Sequence, residues 1–243
     1  MSRRWMTALF AVGLMLVLVG TVFAEASGGE VTEVHKKSVL DLFQATGIVG
    51  ILIVILSVVG TALLLQYLVN YTEPKLNNPA LLSEVEQMLG EGDINSALEV
   101  AQSDRSYVGL VLTGALSRSF GGYEEVKHGF DETSALEAYR LNANLSYLSL
   151  VGNIGPLLGL LGTVTGMISS FQVIETMKAP TPGDLAVGVY ESLVNTTMGL
   201  FVAIIFLTAY FFLKNRVSDI LLRINNQIGE VLSRTMAPEV KRS

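Results

Sequence analysis

Residues 153–171 read NIGPLLGLLGTVTGMISSF. They lie inside a run of roughly 34 residues, Leu141 to Ile174, without a charged side chain, long enough to cross a hydrocarbon core of about 30 Å. A helix facing only lipid would read Leu, Ile, Val and Phe throughout. Here Gly155, Gly159, Gly162 and Gly166 recur at helical spacing, Pro156 offers a kink, and Thr163 and Thr165 bring hydroxyls. Residues three and four apart share a helix face. Gly152, Gly155 with Pro156, Gly159, Gly162 with Thr163, Gly166, and Ser169 with Ser170 therefore form one stripe, opposite Leu157, Leu158, Leu161, Val164 and Ile168. Gly155 to Gly159 and Gly162 to Gly166 are small-xxx-small repeats, which let backbones approach closely. Helix packing alone accounts for the glycines, but not for the hydroxyls.

The whole chain fits an all-α integral membrane protein. Half of its 243 residues are hydrophobic and only 16% are charged, against about 25% in soluble domains. The net charge of -6 is unevenly spread: residues 73 to 140 hold about twelve acids against five bases, whereas the tail after Leu213 holds six bases against three acids. No basic stripe for nucleic acid results. With no cysteine, disulfides and thiolate metal sites are excluded, and the two histidines, His35 and His128, are too few and too far apart for a metal site, so no metal or other cofactor is expected.

The N-terminus, MSRRWMTALFAVGLMLVLVGTVFA, has Arg3 and Arg4, an apolar stretch, then Val22 and Ala24 at the small positions of a cleavage site. This is the pattern of a signal peptide over 1–24, with an uncleaved signal anchor as the alternative. Three spans are predicted after a periplasmic segment at 25–47: the first at 48–69, the second within 145–174 and the third at 186–213. Residue 25 then lies outside, the helical loop at 70–144 is cytoplasmic, the ETMKAPTPGD hinge is external, and the tail at 214–243 is cytoplasmic. Lys214, Arg216 and Arg223 directly follow the third span, as the positive-inside bias requires, while Lys36 and Lys37 run mildly against it.

Within the loop, Asn78 before Pro79 and Asp93 before Ile94 read as helix starts, Gly90 with Gly92 as a stop, and Gly121-Gly122 as a break. After that break Val126, Phe130, Leu141, Leu145 and Leu148 keep helical spacing into the second span. Residues 124 to 174 thus read as one helix of about 75 Å, extending from the membrane into the cytoplasm, or as a loop helix joined separately to the membrane helix. The third span repeats the polar stripe with a charge added: Glu191, Ser192, Asn195, Thr196, Gly199 and Ala203, against Leu193, Phe201, Ile204 and Ile205. An ionisable group there costs at least a few kcal/mol, so Glu191 either faces a bundle interior or snorkels into the outer headgroup layer. Thr163, Thr196, Asn195 and Glu191 are the expected lining of a polar interior. Three spans cannot surround much of a pathway, so that interior is expected to be shared among copies.

GPLLGLLGTVTGMISSF followed by ESLVNTTMGLFVAI resembles the proton-channel subunits of the MotA, TolQ and ExbB family, the ExbB and TolQ branch in particular, as does EAYRLNANLSYLSLVGNIGPLLGLLGTV at the entry to the second span. The resemblance runs from Leu40 to the tail. A MotA assignment is disfavoured by the absence of a fourth mature span. The resemblance implies an inner-membrane pentamer, in contact with lipid, that encloses the single spans of two copies of an ExbD-like or TolR-like partner. In such complexes a partner Asp carries the proton, positions matching Thr163, Thr196 and Glu191 line or adjoin the route, and a TonB-like or TolA-like protein receives the work. The expected function is a stator that energises outer-membrane import and protein transport, or a TolQ-like envelope motor. An intramembrane enzyme finds no support, since H-E-x-x-H, G-x-S-x-G and the phosphate-loop motif are all missing. A passive helical scaffold would explain the glycines but leave a membrane Glu with hydroxyls unexplained.

Overall fold

The computed structural model describes residues 47–177, 179 and 181–236. The signal-peptide reading at 1–24, most of the segment at 25–47 and the end of the tail lie outside them. Among the described residues the chain is all-helical: α1 (Gly47–Asn70), α2 (Glu73–Leu76), α3 (Pro79–Gly90), α4 (Ile94–Ser103), α5 (Tyr107–Leu116), a 3-10 turn (Ser119–Gly121), α6 (Tyr123–Thr176) and α7 (Pro182–Met236). Three of these, α1, α6 and α7, are long and apolar enough to cross a membrane. The single-helix reading of 124 to 174 holds, with the 54 residues of α6 continuous through Pro156. Helix α7 does not stop at Leu213, where the third span is expected to end, but runs on for 55 residues in all. The described residues form two compact units, 47–56 with Ile154–Ile205, and Ser57–Asn153 with 206–236.

The second unit is built from conventional helix signals. The Asn78 side chain accepts from the Leu81 N–H, Asp93 from Ser96 and Ser106 from Gly109, each satisfying an orphan donor of a first turn. Gly92 and Gly122, at φ 83° and 82°, take the left-handed backbone that ends α3 and the 3-10 turn. Helix α5 is the centre of this unit, with Val108, Val111, Leu112, Ala115 and Leu116 all fully buried. It packs so tightly on α6 that a Cβ on Gly114 would collide with Thr133, and one on Gly129 would stand 2.5 Å from the Gly114 carbonyl oxygen. The outer part of α7 buries Val217, Ile220, Leu221, Ile224, Ile228, Val231 and Leu232 at spacings of three and four. The Tyr107 hydroxyl donates to Asn225 Oδ1 at 2.8 Å, joining α5 to α7, and burial pushes that phenol up from its ordinary pKa. Arg234 reaches Glu86 at 3.0 Å, joining α7 to α3.

Asp104 closes the loop between α4 and α5. Burial pushes its carboxyl up, but the Ser106 N–H at 2.5 Å and the Asn78 amide at 2.5 Å outweigh that and hold it below its ordinary pKa. A folded value below the unfolded one contributes stability that is complete above about pH 4 and is lost as pH falls through the folded value. Asp104→Asn is expected to lower the thermal midpoint at pH 7 and to flatten its dependence on pH below about 5. A parallel acid limb in both proteins, followed by circular dichroism, would assign the dependence to other carboxylates.

Candidate functional site

In the first unit α6 and α7 run antiparallel and meet along the glycine stripe. A Cβ built on Gly155 would lie 2.8 Å from the Gly199 carbonyl oxygen, and one on Gly199 would lie 2.5 Å from that of Gly155. Next along the seam, a Gly159 Cβ would be 3.0 Å from Thr196 Cα, a Gly162 Cβ 2.5 Å from Asn195 Cβ, and a Gly166 Cβ 2.5 Å from Ser192 Oγ. Gly188 meets Ser170 in the same way. Real Cβ atoms essentially never come within 3.0 Å of another atom, so Gly155 and Gly199, each against a backbone carbonyl, admit no larger residue, and at Gly159, Gly162 and Gly166 a larger residue would force the neighbour to shift. The glycines expected to pack on another helix therefore find it within the same chain, in the third span.

This approach brings the expected hydroxyls together. The Thr163 and Thr196 side chains form a very short hydrogen bond across the seam. Both also reach the Gly159 carbonyl at 3.2 Å, and Thr163 lies 3.4 Å from the Ser192 carbonyl. Two hydroxyl protons thus serve two carbonyls and each other, so rotating both hydroxyls reverses the direction of the chain of bonds without moving a heavy atom. Asn195 and Ser192 are buried between the helices, at 4% and 1% exposure, and the Ser192 hydroxyl is turned back onto the Gly188 carbonyl at 2.6 Å. Ser170 likewise donates to Gly166 at 3.1 Å. Pro156 is half-buried beside the Gly155 contact.

Two sequence expectations are corrected. Ser169 is not on the buried stripe; it is exposed, and its hydroxyl bonds the Thr165 carbonyl. Glu191 and Thr196 do not share a face either. Five residues of helix rotate by about 140° beyond a full turn, and the buried positions Ser192, Asn195 and Gly199 lie between the two. Both end half-buried, at opposite edges of the seam. Among the described residues Glu191 makes no side-chain hydrogen bond or ion pair. Gly188 was the seam residue missing from the expected set, although its place one turn before Ser192 continues the small-residue spacing through Gly199. Among the described residues no group of His, Asp and Glu could hold a metal ion.

Gly159→Leu and Gly162→Leu, which force side-chain volume into a backbone contact, are expected to destabilise the hairpin by about 1–3 kcal/mol or more. Leu161→Ala, on the exposed face, should cost much less. Detergent-titrated unfolding of the purified protein compares them, and equal midpoints would contradict the seam.

Residues 108–226 match the MotA/TolQ/ExbB proton channel family. A biopolymer transport protein ExbB homolog of Methanothermobacter thermautotrophicus is 26% identical over 75% of this chain and 65% of its own length. The Tol-Pal system protein TolQ of Pseudomonas aeruginosa is 40% identical over 30% of this chain and 32% of its own. The matches thus span less than two thirds of these curated relatives. Among solved structures, that of C. jejuni MotAB is similar in fold, with a TM-score of 0.55 and 15% identity, over 96% of this chain and 98% of that one.

Proposed function

We propose, from the premise that this chain carries a MotA/TolQ/ExbB family domain, that it is the multi-span subunit of an inner-membrane stator in which ion flow does mechanical work on an envelope partner. The observation that carries the reading is the hydroxyl pair, Thr163 with Thr196, held between two membrane-length helices whose glycines leave no other side chain room there. Five copies would enclose two single-span partners of the ExbD or TolR kind, each bringing a membrane Asp. The periplasmic N-terminus and cytoplasmic tail belong to the same proposal. Relatives named ExbB and TolQ support TonB-type import and Tol-type envelope work alike, so the driven process is assigned by the partners that co-purify.

The partner Asp is required on chemical grounds. Threonine hydroxyls orient water but cannot store a proton near neutral pH. From Glu191 to Lys214 helix α7 carries 22 residues without an acidic or basic side chain, about 33 Å of helix. Each proton crossing releases about 2.3 kcal/mol per 100 mV, enough to bias a bistable assembly. Proton uptake by liposomes under an imposed potential should therefore be near background for this chain alone and rapid for the complex. It should be abolished when the partner Asp becomes Asn and reduced in Thr163→Val, Thr196→Val, with assembly intact. Rapid uptake by the chain alone, abolished by Glu191→Gln, would make Glu191 the carrier.

Orientation has its own test, eased by the absence of cysteine. Gly121→Cys and Arg234→Cys should react with an impermeant thiol reagent only in opened cells, and Pro182→Cys in intact ones. Labelling at position 121 from outside would reverse the topology.

A further inference from the structure

Helix α6 carries polar side chains that neither the seam nor the core of the second unit uses. Asn142, Ser146, Ser149 and Asn153 recur at spacings of four, three and four, which places them on one line along the helix. The line avoids the face that meets α1. A Cβ on Gly60 of α1 would stand 2.8 Å from Val151, and at about 100° per residue the four polar residues are turned roughly 140–180° from Val151. They therefore stand on the side of α6 away from α1. Asn153 is exposed there, eight residues beyond Leu145, where the second span is expected to begin, and so about 12 Å into the apolar layer. Ser146 is exposed as well, and Asn142 and Ser149 are half-buried.

The hydrogen bonds of the helix leave this line unsatisfied. Asn153 Nδ2 donates to the Ser149 carbonyl at 2.8 Å and to Ser149 Oγ at 3.2 Å, so Asn153 Oδ1 remains an open acceptor. Among the described residues the Ser149 hydroxyl finds no acceptor for its own proton. Ser146 gives its proton to the Ala143 carbonyl at 2.6 Å and turns lone pairs outward. Asn142 donates to the Ala138 carbonyl at 2.9 Å, while its buried Oδ1 has no hydrogen-bond partner among the described residues. Hydrocarbon supplies no partner for such groups, whereas water supplies both donors and acceptors. Successive positions lie three or four residues apart, about 4.5–6 Å, and one bridging water makes two hydrogen bonds of about 2.8 Å each. We propose that Asn142, Ser146, Ser149 and Asn153 line a water-filled vestibule on α6 that forms the cytoplasmic end of the proton path. None of the four ionises near neutral pH, so the line passes protons along its water without storing one. A proton arriving at the water on Asn153 displaces another from the water on Asn142, and no side chain changes its charge.

The proposal rests on the stator reading, but its first test needs no ion flow. In inside-out vesicles holding the full complex, Asn153→Cys and Ser149→Cys are each reacted with sulfonatoethyl methanethiosulfonate and with a lipid-soluble maleimide. Ile154→Cys, at the same depth but about 100° round the helix from Asn153, is the control. Taking the ratio of the two rates cancels steric burial and leaves wetting. Hydrocarbon excludes the charged reagent, so the ratio is expected to be about tenfold or more higher at Asn153→Cys and Ser149→Cys than at Ile154→Cys. Equal ratios would overturn the vestibule, as would an Asn153→Cys that reacts with neither reagent, the result that contact with another chain gives. The second test is proton uptake by the complex in liposomes. Asn153→Leu is expected to lower it about tenfold with assembly intact, and Asn153→Gln, which keeps the amide, to retain most of it. Full uptake in Asn153→Leu would remove the line from the path. A complex with native Asn153 that takes up no protons, yet gives the expected labelling, would leave the wetted face standing and count against the stator reading instead.

Discussion

The contact between the α6 and α7 backbones is the constraint on which the first unit depends. Helices normally pack 8–10 Å apart because side chains hold them there. At Gly155 and Gly199 each backbone carbonyl occupies the space a partner Cβ would take. No driving force of the aqueous kind brings helices together in lipid; dispersion at close range and interhelical hydrogen bonds do. The glycines supply the first and, by the same approach, create the second. Thr163 and Thr196 can bond each other and share the Gly159 carbonyl only because Gly159 lets Thr196 come so near. Register follows from the hydroxyls, since sliding by one turn would keep small residues face to face but part Thr163 from Thr196.

The second unit is held by different means. There burial of Val, Leu and Ala around α5 dominates, at about 25 cal/mol per Å² of apolar surface, and the polar groups are used sparingly. Tyr107 with Asn225, and Asp104 with Asn78, join elements far apart in sequence, while the Ser106 N–H serves Asp104 locally, each satisfying a group that burial would otherwise penalise. The surface ion pairs of Arg234 and Arg118 contribute little. Small residues recur in this unit too, at Gly60, Gly114 and Gly129, where close approach admits a neighbour's bulk: Phe206 and Val151 fill the space at Gly60. One device therefore serves both units, through different neighbours.

The sequence made α6 legible because nothing between Gly122 and Thr176 both breaks a helix and lies outside a span that tolerates it. Helix starts at Asn78 and Asp93 were equally plain, since the capping side chain and its acceptor geometry are local. What remained hidden has physical reasons. Helix α5 lacks polar alternation, being buried on nearly every side, so no periodicity marks it. The continuation of α7 past Leu213 was masked by the change from an apolar to a charged surface, although Val217, Ile220, Leu221, Ile224 and Ile228 already show the spacing. The partner of the glycine stripe was a matter of distance in space, which spacing along one helix cannot give. Glu191 and Thr196 were read on one face because a broad stripe allows 140° of arc, whereas a backbone contact buries far less.

That narrowing bears on how an ion could pass. A path along the Thr163–Thr196 edge does not meet the carboxylate of the same chain, and a path along the Glu191 edge does not meet the hydroxyl pair. Within one chain the two sets cannot serve one site. Among the described residues Glu191 meets no cation, and a half-buried carboxylate is costly in hydrocarbon, so its edge needs water, a cation or another chain's polar group. The hydroxyl pair is under no such demand, because every proton it carries already has an acceptor inside the hairpin. The pair can turn its bonds around at little cost while the helices stay fixed, which suits a surface past which a carboxylate moves. The other edge carries a carboxyl group in place of a hydroxyl pair. In the proposed ring of copies the seam would present the two edges at two orientations, so that an enclosed partner turning past it would meet hydroxyl and carboxylate in turn.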